Sequence, residues 1–281
     1  MNKFQTYETA WCPGCGNFSI LRCLKNALDD LGKDPHEVVM AAGIGQAAKT
    51  PQYVSANSFC GLHGRSLPAA TAIKIANEDL TVIVNTGDGD SYGEGGNHFI
   101  HAIRRNINIT HFVHDNQIYG LTKGQASPTT AEGHVTGVQP SGNMNTPLNP
   151  LLIAIASGAG FVARSFSGDP EHLQEVMKEA INYKGYALVD ILQPCVSFNK
   201  INTFQYYRDR VYHLQDDYDP TNKVAAIKKA MEFGDTIPLG VLYREETPHF
   251  HQRNPILSKG SPLYKRELDK NVLENLIQEF V

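Results

Sequence analysis

The stretch "LTVIVNTGDGDSYGEGGNHFIHAIRRNINITHFVHDN" (residues 80–116) limits the possible folds more than any other part of the chain. "LTVIVNT" is a continuous apolar run ended by glycines, "GGNHFIHAIRRN" has helical spacing, and "ITHFVH" is a second apolar run. Two unbroken apolar runs joined by a helix suit neighbouring interior strands of a parallel sheet, where both faces are covered. The alternation extends in both directions. "NFSILRCLKNALDDLG" places Ile20, Leu21, Leu24, Leu28 and Leu31 at helical spacing and stops at Gly32. "EVVMAAGIG" reads as a buried strand entering a glycine turn, and "LPAATAIKIAN" as a helix. "PLLIAIASGAG", "FVARSF", "DPEHLQEVMKEAIN" and "ALVDIL" continue as helix, strand, helix, strand. The expected fold is therefore a doubly wound α/β domain with a mostly parallel sheet.

From about residue 200 the pattern gives way to aromatic and charged residues, with short helices expected near 222–233 and 267–279. This predicts an α/β domain over residues 1–200 and an extension over 201–281 that packs against another subunit. The 281 residues are 41% hydrophobic, enough for a well-buried core. A net charge of −4, with no Lys/Arg block, gives no reason to expect nucleic acid. No apolar run reaches membrane-spanning length, and no secretory signal is evident. With five cysteines, an odd number, a reducing cytoplasm is the expected compartment.

In open α/β sheets, ligands bind beyond the carboxyl ends of the strands. Three loops leave such ends: 43–49, 87–90 and 115–125. The first, "GIGQAA", fits a dinucleotide-binding G-x-G-x-x-A, but "CGLHGRSLPAA" downstream lacks the carboxylate that would hold a ribose. The second sets Asp88 and Asp90 among glycines at a strand end. Glycines let backbone approach a phosphate closely, and a carboxylate beside a phosphate implies a divalent cation between the two anions. Asn116 ends the next strand, so a crossover should bring it beside Asp88 and create a hard-oxygen site suited to Mg²⁺. Turn-forming Asp, Asn and Gly in solvated loops are the bland alternative.

"ETAWCPGCGNFSIL" raises a separate question, because Cys12 and Cys15 form a C-x-x-C with little chain before it. A redox dithiol of the thioredoxin kind needs a preceding strand, and "NKFQTYETA" offers at most a ragged one. A zinc ribbon needs a second pair, whereas Cys23, Cys60 and Cys195 are isolated. An iron–sulfur cluster can gather distant cysteines. Ordinary reduced thiols also remain open.

Taken together, "WCPGCG", "GIG-x-x-x-KTP", "LHGR", "GDGD", "DNQIYGLTKGQASPTT" and "DILQPC" resemble the β subunit of 2-oxoacid:ferredoxin oxidoreductases, over roughly residues 10–200. The resemblance implies a thiamine diphosphate site with Mg²⁺ held by Asp88, Asn116 and the Ile118 carbonyl. It implies a cofactor lining of Ile44, Gly45, Gln46, Ala47, His63, Gly89, Asp90, Gly120 and Leu121. It further implies a [4Fe–4S] cluster on Cys12, Cys15 and Cys195. Many family members carry the remaining cluster cysteine in the GIG turn, where this chain has Gln46; Cys60 or a non-cysteine ligand could substitute. The implied reaction is oxidative decarboxylation of a 2-oxo acid to acyl-CoA and CO₂, with electrons passing through the cluster to ferredoxin. Implied partners are an α subunit, in a heterodimer or dimer of heterodimers, together with ferredoxin and coenzyme A. Lys49 and Lys123 are the substrate-facing cations, and Lys123 points to 2-oxoglutarate. A thiamine-dependent decarboxylase or synthase without the cluster, and a zinc-stabilised subunit without catalysis, are the competing readings.

Overall fold

The computed structural model describes residues 2–267 and 269–280; residue 268, within the helix expected at 267–279, lies outside the described residues. Helix α1 (Asn17–Asp30) buries Ile20, Leu21, Leu24, Ala27 and Leu28. It ends where Gly32 takes φ +68 and Lys33 N donates to Leu28 O, a turn that only glycine enters without strain. In chain order there follow β1 (Val38–Ala42), β2 (Asn57–Cys60), α2 (Ser66–Ala76), β3 (Thr81–Gly87), α3 (Gly96–Arg105) and β4 (Ile109–Asp115). Next come α4 (Pro150–Ala156), β5 (Phe161–Phe166), α5 (Pro170–Asn182) and β6 (Tyr186–Leu192). The chain continues with α6 (Phe204–Arg208), β7 (Val211–His213), α7 (Lys223–Met231) and β8 (Ile237–Arg244). It closes with α8 (Phe250–Arg253) and α9 (Lys270–Gln278).

Among the described residues the strands form one eight-stranded sheet, ordered β2-β1-β3-β4-β6-β5-β8-β7. Every pairing is parallel except β5 with β8. The strands β4, β5 and β6 are buried along their whole length, as their unbroken apolar runs require. One face packs on α1 and α5 through Leu24, Leu28, Phe112, Met177 and Val189. The other packs on α2, α3, α4 and α7 through Leu67, Phe99, Val113, Leu151 and Ala226. Asp169 caps α5, accepting from His172 N, and Pro170 at the first helical position starts it without losing a bond.

The tail departs from the picture of an appendage. Residues 211–213 and 237–244 add two strands to the same sheet, and Phe166, Leu192, Tyr207, Ile237 and Leu239 form a small core of their own. Beyond them, α9 buries none of its described residues. No helix among the described residues is long and apolar enough to cross a membrane.

Candidate functional site: two adjoining cavities at the carboxyl edge

The chain runs outward from β1 to β2, then returns to place β3 on the other side of β1. That reversal separates the loops leaving β1 and β3, and a crevice forms between them, as expected at a topological switch point. The cavity there is lined by Ile44, Gly45, Gln46, Ala47, His63, Gly87, Asp88, Gly89, Asp90, Asn116, Ile118, Tyr119, Gly120, Leu121 and Thr122. All twelve residues expected around the cofactor and its metal are thus brought to one place. Neither lysine lines it. Lys49 is half-buried in the helical turn Ala47–Gln52, and Lys123 is exposed two residues beyond Leu121. Lys123 has φ +76, a left-handed conformation that costs a side-chain-bearing residue energy and marks a loop held in an unusual shape.

β3 and β4 are parallel with Gly87 opposite His114, so the two strands deliver Asp88 and Asn116 to one edge. Asp88 is 1% exposed and begins a π-helical turn, Gly89–Glu94. Such turns occur mostly at functional sites, because they re-aim backbone at the expense of good helical bonding. The hydroxyl of Thr129 lies 2.7 Å from Asp88 Oδ2 and 2.8 Å from Asp115 Oδ1. One hydroxyl hydrogen cannot serve two carboxylates, so the second contact is favourable only if that carboxyl carries a proton. Burial accordingly pushes Asp88 above the usual carboxylate range, and burial with Asp190 and Asp88 nearby pushes Asp115 higher still. A cation beside Asp88 would remove the conflict. Asn116 Oδ1 accepts from Ile118 N at 3.0 Å and keeps a second lone pair.

Asp90 has a different task. Its Oδ1 accepts from Ile44 N at 3.1 Å and Gly64 N at 2.7 Å, and His63 Nδ1 stands 3.0 Å away. One buried carboxylate therefore ties together the loops that follow β1, β2 and β3. Gly64 has φ +73, and a Cβ there would meet the Glu94 backbone at 2.4 Å, so this knot requires glycine. At Gly45 a Cβ would meet nothing within 4 Å, and at Gly120 nothing closer than 3.9 Å. These turns leave bare backbone facing an open crevice, as close approach of a diphosphate needs.

A second cavity adjoins the first and shares Gln46, Asn116 and Gly120 with it. Its wall also includes Trp11, Cys12, Cys15, Gln193, Cys195 and Ser197. The C-x-x-C forms a turn, with Cys15 N donating to Cys12 O, immediately before α1. β6 ends two residues before Pro194-Cys195. Ser197 Oγ donates to Cys12 Sγ at 3.1 Å, and Gln193 Nε2 to Cys15 Sγ at 3.5 Å. Donors aimed at sulfur and a helix N-terminus favour thiolate character. Against this, burial pushes the Cys15 thiol up to about 11, with Cys195 and Cys12 nearby adding to the rise. Bound metal would deprotonate such a thiol.

Cys60 is not brought to this cavity. It sits exposed on edge strand β2, with its sulfur 4.0 Å from Gln52 Nε2. Among the described residues, three or more His, Cys, Asp or Glu ligand atoms all within 4.8 Å of one another occur only at Asp169, His172 and His213. The two imidazoles there are stacked 4.5 Å apart at 14°, so their in-plane lone pairs do not converge on one ion. The three cavity sulfurs do not all lie within 4.8 Å of one another, a wider spread than ligands of a single tetrahedral zinc have.

The sequence marks Asp115 as ending the strand with Asn116 but assigns no site role to it, nor to Thr129, Tyr119 or Gln193. Thr129 lies in the quoted "SPTT", but nothing in that string indicates a contact with Asp88, forty-one residues earlier.

Residues 36–191 match the family described as thiamine pyrophosphate enzyme, C-terminal TPP binding domain. Residues 195–259 match the C-terminal family of the pyruvate ferredoxin oxidoreductase beta chain. The chain is 46% identical over 268 residues to 2-oxoacid:ferredoxin oxidoreductase 1, subunit beta, of Aeropyrum pernix, covering 90% of this chain and 84% of that one. It is 46% identical over 192 residues to 2-oxoglutarate oxidoreductase subunit KorB of Mycobacterium tuberculosis, covering 68% of this chain and 52% of that one. A solved 2-oxoglutarate:ferredoxin oxidoreductase from Magnetococcus marinus, with 2-oxoglutarate, coenzyme A and succinyl-CoA bound, superposes with a TM-score of 0.90. That comparison has 38% identity and covers 96% of this chain and 92% of the other.

Proposed function

The chain belongs to the β-subunit family of the 2-oxoacid:ferredoxin oxidoreductases, and from that premise we propose that it performs the thiamine-dependent oxidative decarboxylation of 2-oxoglutarate. The observation that carries the proposal is the adjoining pair of cavities, one with Asp88 and Asn116, the other with three cysteines. When bound, thiamine diphosphate supplies a carbon nucleophile and an electron sink, and a [4Fe–4S] cluster carries single electrons.

In this reading Asp88, the Asn116 side-chain oxygen and the Ile118 carbonyl hold Mg²⁺. The bare backbone at Gly45 and Gly120 receives the diphosphate, and Gly89 lines the same cavity packed against the Tyr119 ring. Asp90 acts as the brace of the three loops, and Cys12, Cys15 and Cys195 hold the cluster next to the cofactor. The redox reading is preferred over a simple thiamine decarboxylase because the relatives are ferredoxin oxidoreductases over nine-tenths of this chain. Ile44, Leu121 and Phe198 line the cavities with exposed apolar side chains, and Leu62 beside His63 is exposed too. A surface of this kind suits coverage by an α subunit, with the residues beyond 200 contributing to that contact.

The test is to co-purify the chain with its native partner under anaerobic conditions and to assay thiamine, magnesium, iron and sulfide. Ferredoxin reduction that requires both 2-oxoglutarate and coenzyme A is the expected result. Decarboxylation without any ferredoxin reduction by the brown complex would overturn the proposal.

Lys123 bears on substrate choice. Its exposed ammonium, held on a strained loop beyond the cavity lip, is proposed to meet the distal carboxylate. A charge-assisted hydrogen bond is worth about 1.5–3 kcal/mol, so Lys123→Leu should lower kcat/KM for 2-oxoglutarate about ten- to a hundredfold. Pyruvate, which lacks that carboxylate, should lose far less, and equal losses would reject the role.

A further inference from the structure

We infer that the cluster of this chain has only three thiolate corners and that its fourth iron is held by the side-chain oxygen of Gln46. The inference rests on the cluster proposed above and concerns which atoms of this chain surround it. Full cysteine ligation of a [4Fe–4S] cluster takes four thiolates. Five cysteines are present, but the fold divides them. Three line the cavity. Cys23 is 1% exposed within the apolar core under α1, its sulfur donating to Pro170 O at 3.3 Å. Cys60 faces solvent and Gln52 on the edge strand. Neither reaches the cavity without rebuilding an element.

Gln46 is already there. It lines the thiol cavity, and its Oε1 is buried with no hydrogen-bond partner among the described residues. A buried oxygen left unpaired is destabilising, so the position calls for a partner. A Cβ built on Gly120 would stand 3.9 Å from both Cys195 Sγ and Gln46 Cγ, so the glutamine stem flanks the same gap as that sulfur. Trp11 Nε1 donates to the Gln46 carbonyl at 2.8 Å and fixes the turn from which the side chain extends. Three other side-chain oxygens of the wall each already have a hydrogen-bond partner, which Gln46 Oε1 lacks among the described residues. Asn116 Oδ1 accepts from Ile118 N, Gln193 Oε1 accepts from Asn116 Nδ2, and Ser197 Oγ donates to Cys12.

An amide oxygen binds iron more weakly than a thiolate does, so this corner is the one that exchanges. Ferricyanide, a one-electron oxidant, takes one electron from [4Fe–4S]²⁺ and becomes ferrocyanide. The oxygen-bound iron leaves as Fe²⁺, and [3Fe–4S]⁺ remains on the three thiolates.

The experiment treats the anaerobic complex with ferricyanide and follows iron content and low-temperature EPR. Wild type should fall from about four to about three irons per cluster and gain the isotropic signal of an oxidised three-iron cluster, reversed by Fe²⁺ with reductant. Gln46→Cys should keep all its iron and give no such signal. Gln46→Leu should already purify in the three-iron form, and Cys60→Ser should behave as wild type. Wild-type retention of four irons, or iron loss caused by Cys60→Ser, overturns the assignment of Gln46 while leaving the cluster in place. An iron-free wild-type complex overturns the cluster itself, a distinct result. Should Gln46→Leu fail to fold, the comparison of wild type with Gln46→Cys decides alone.

Discussion

Asp88→Ala should lower Mg²⁺-dependent thiamine diphosphate affinity by roughly two to four powers of ten. Breaking a buried charge pairing by removing one partner costs about 3–5 kcal/mol, and each 1.4 kcal/mol is tenfold. The side chain is almost fully buried, so water cannot take over as ligand at little cost. Loss of affinity should not come from unfolding. Burial raises the Asp88 carboxyl in the folded chain, so ionising it at neutral pH opposes folding, and this penalty sets in as pH rises above the ordinary carboxylate range. Deleting it should therefore leave the metal-free protein at least as stable at pH 8. Isothermal titration with thiamine diphosphate and Mg²⁺, alongside a thermal melt of the apoprotein, measures both parts. Unchanged affinity would sink the assignment, and Asp88→Asn provides a variant of nearly equal volume.

Cys195→Ser should abolish ferredoxin reduction altogether. Three cysteines line the second cavity, and a serine oxygen is a poor substitute for any of them as an iron ligand. Absorption at about 400 nm and bound iron should both disappear. Cys195 lines only the thiol cavity, so thiamine diphosphate affinity should stay within about threefold, a change worth about 0.65 kcal/mol. Full iron content in this variant would remove Cys195 from the ligand set. Loss of thiamine binding as well would mean that the residue supports the shared wall rather than the cluster.

The sequence disclosed much of the fold because buried parallel strands are recognisable from composition alone. "ITHFVH" and "ALVDIL" each lie within an interior strand, "LTVIVNT" does so from Thr81 on, and Asp88 and Asn116 stand at successive strand ends as the crossover requires. The tail was less readable. β8 is antiparallel and contains Pro238 and Gly240 at φ +132, and its pairing with β5 shifts register between Val162 and Ala163. Such interruptions hide a strand from any test of periodicity. Some of the oxygens and donors of the two cavities were hidden for another reason. Thr129 and Gln193 reach the site from distant parts of the chain, and their contacts exist only after the sheet has assembled. Cys60 misled through nearness in sequence to His63, since the edge strand turns its sulfur toward Gln52.

Trp11 is the sole tryptophan of the chain, 7% exposed, set edge-on against Tyr53 and Phe18 on the wall of the thiol cavity. Its indole is thus a built-in optical reporter, needing no label. An iron–sulfur chromophore at that distance absorbs where the indole emits, so filling the cavity should darken the protein's fluorescence by energy transfer. Emission would return as iron leaves, and loading or loss of the cluster could be followed in stopped flow on the unmodified chain.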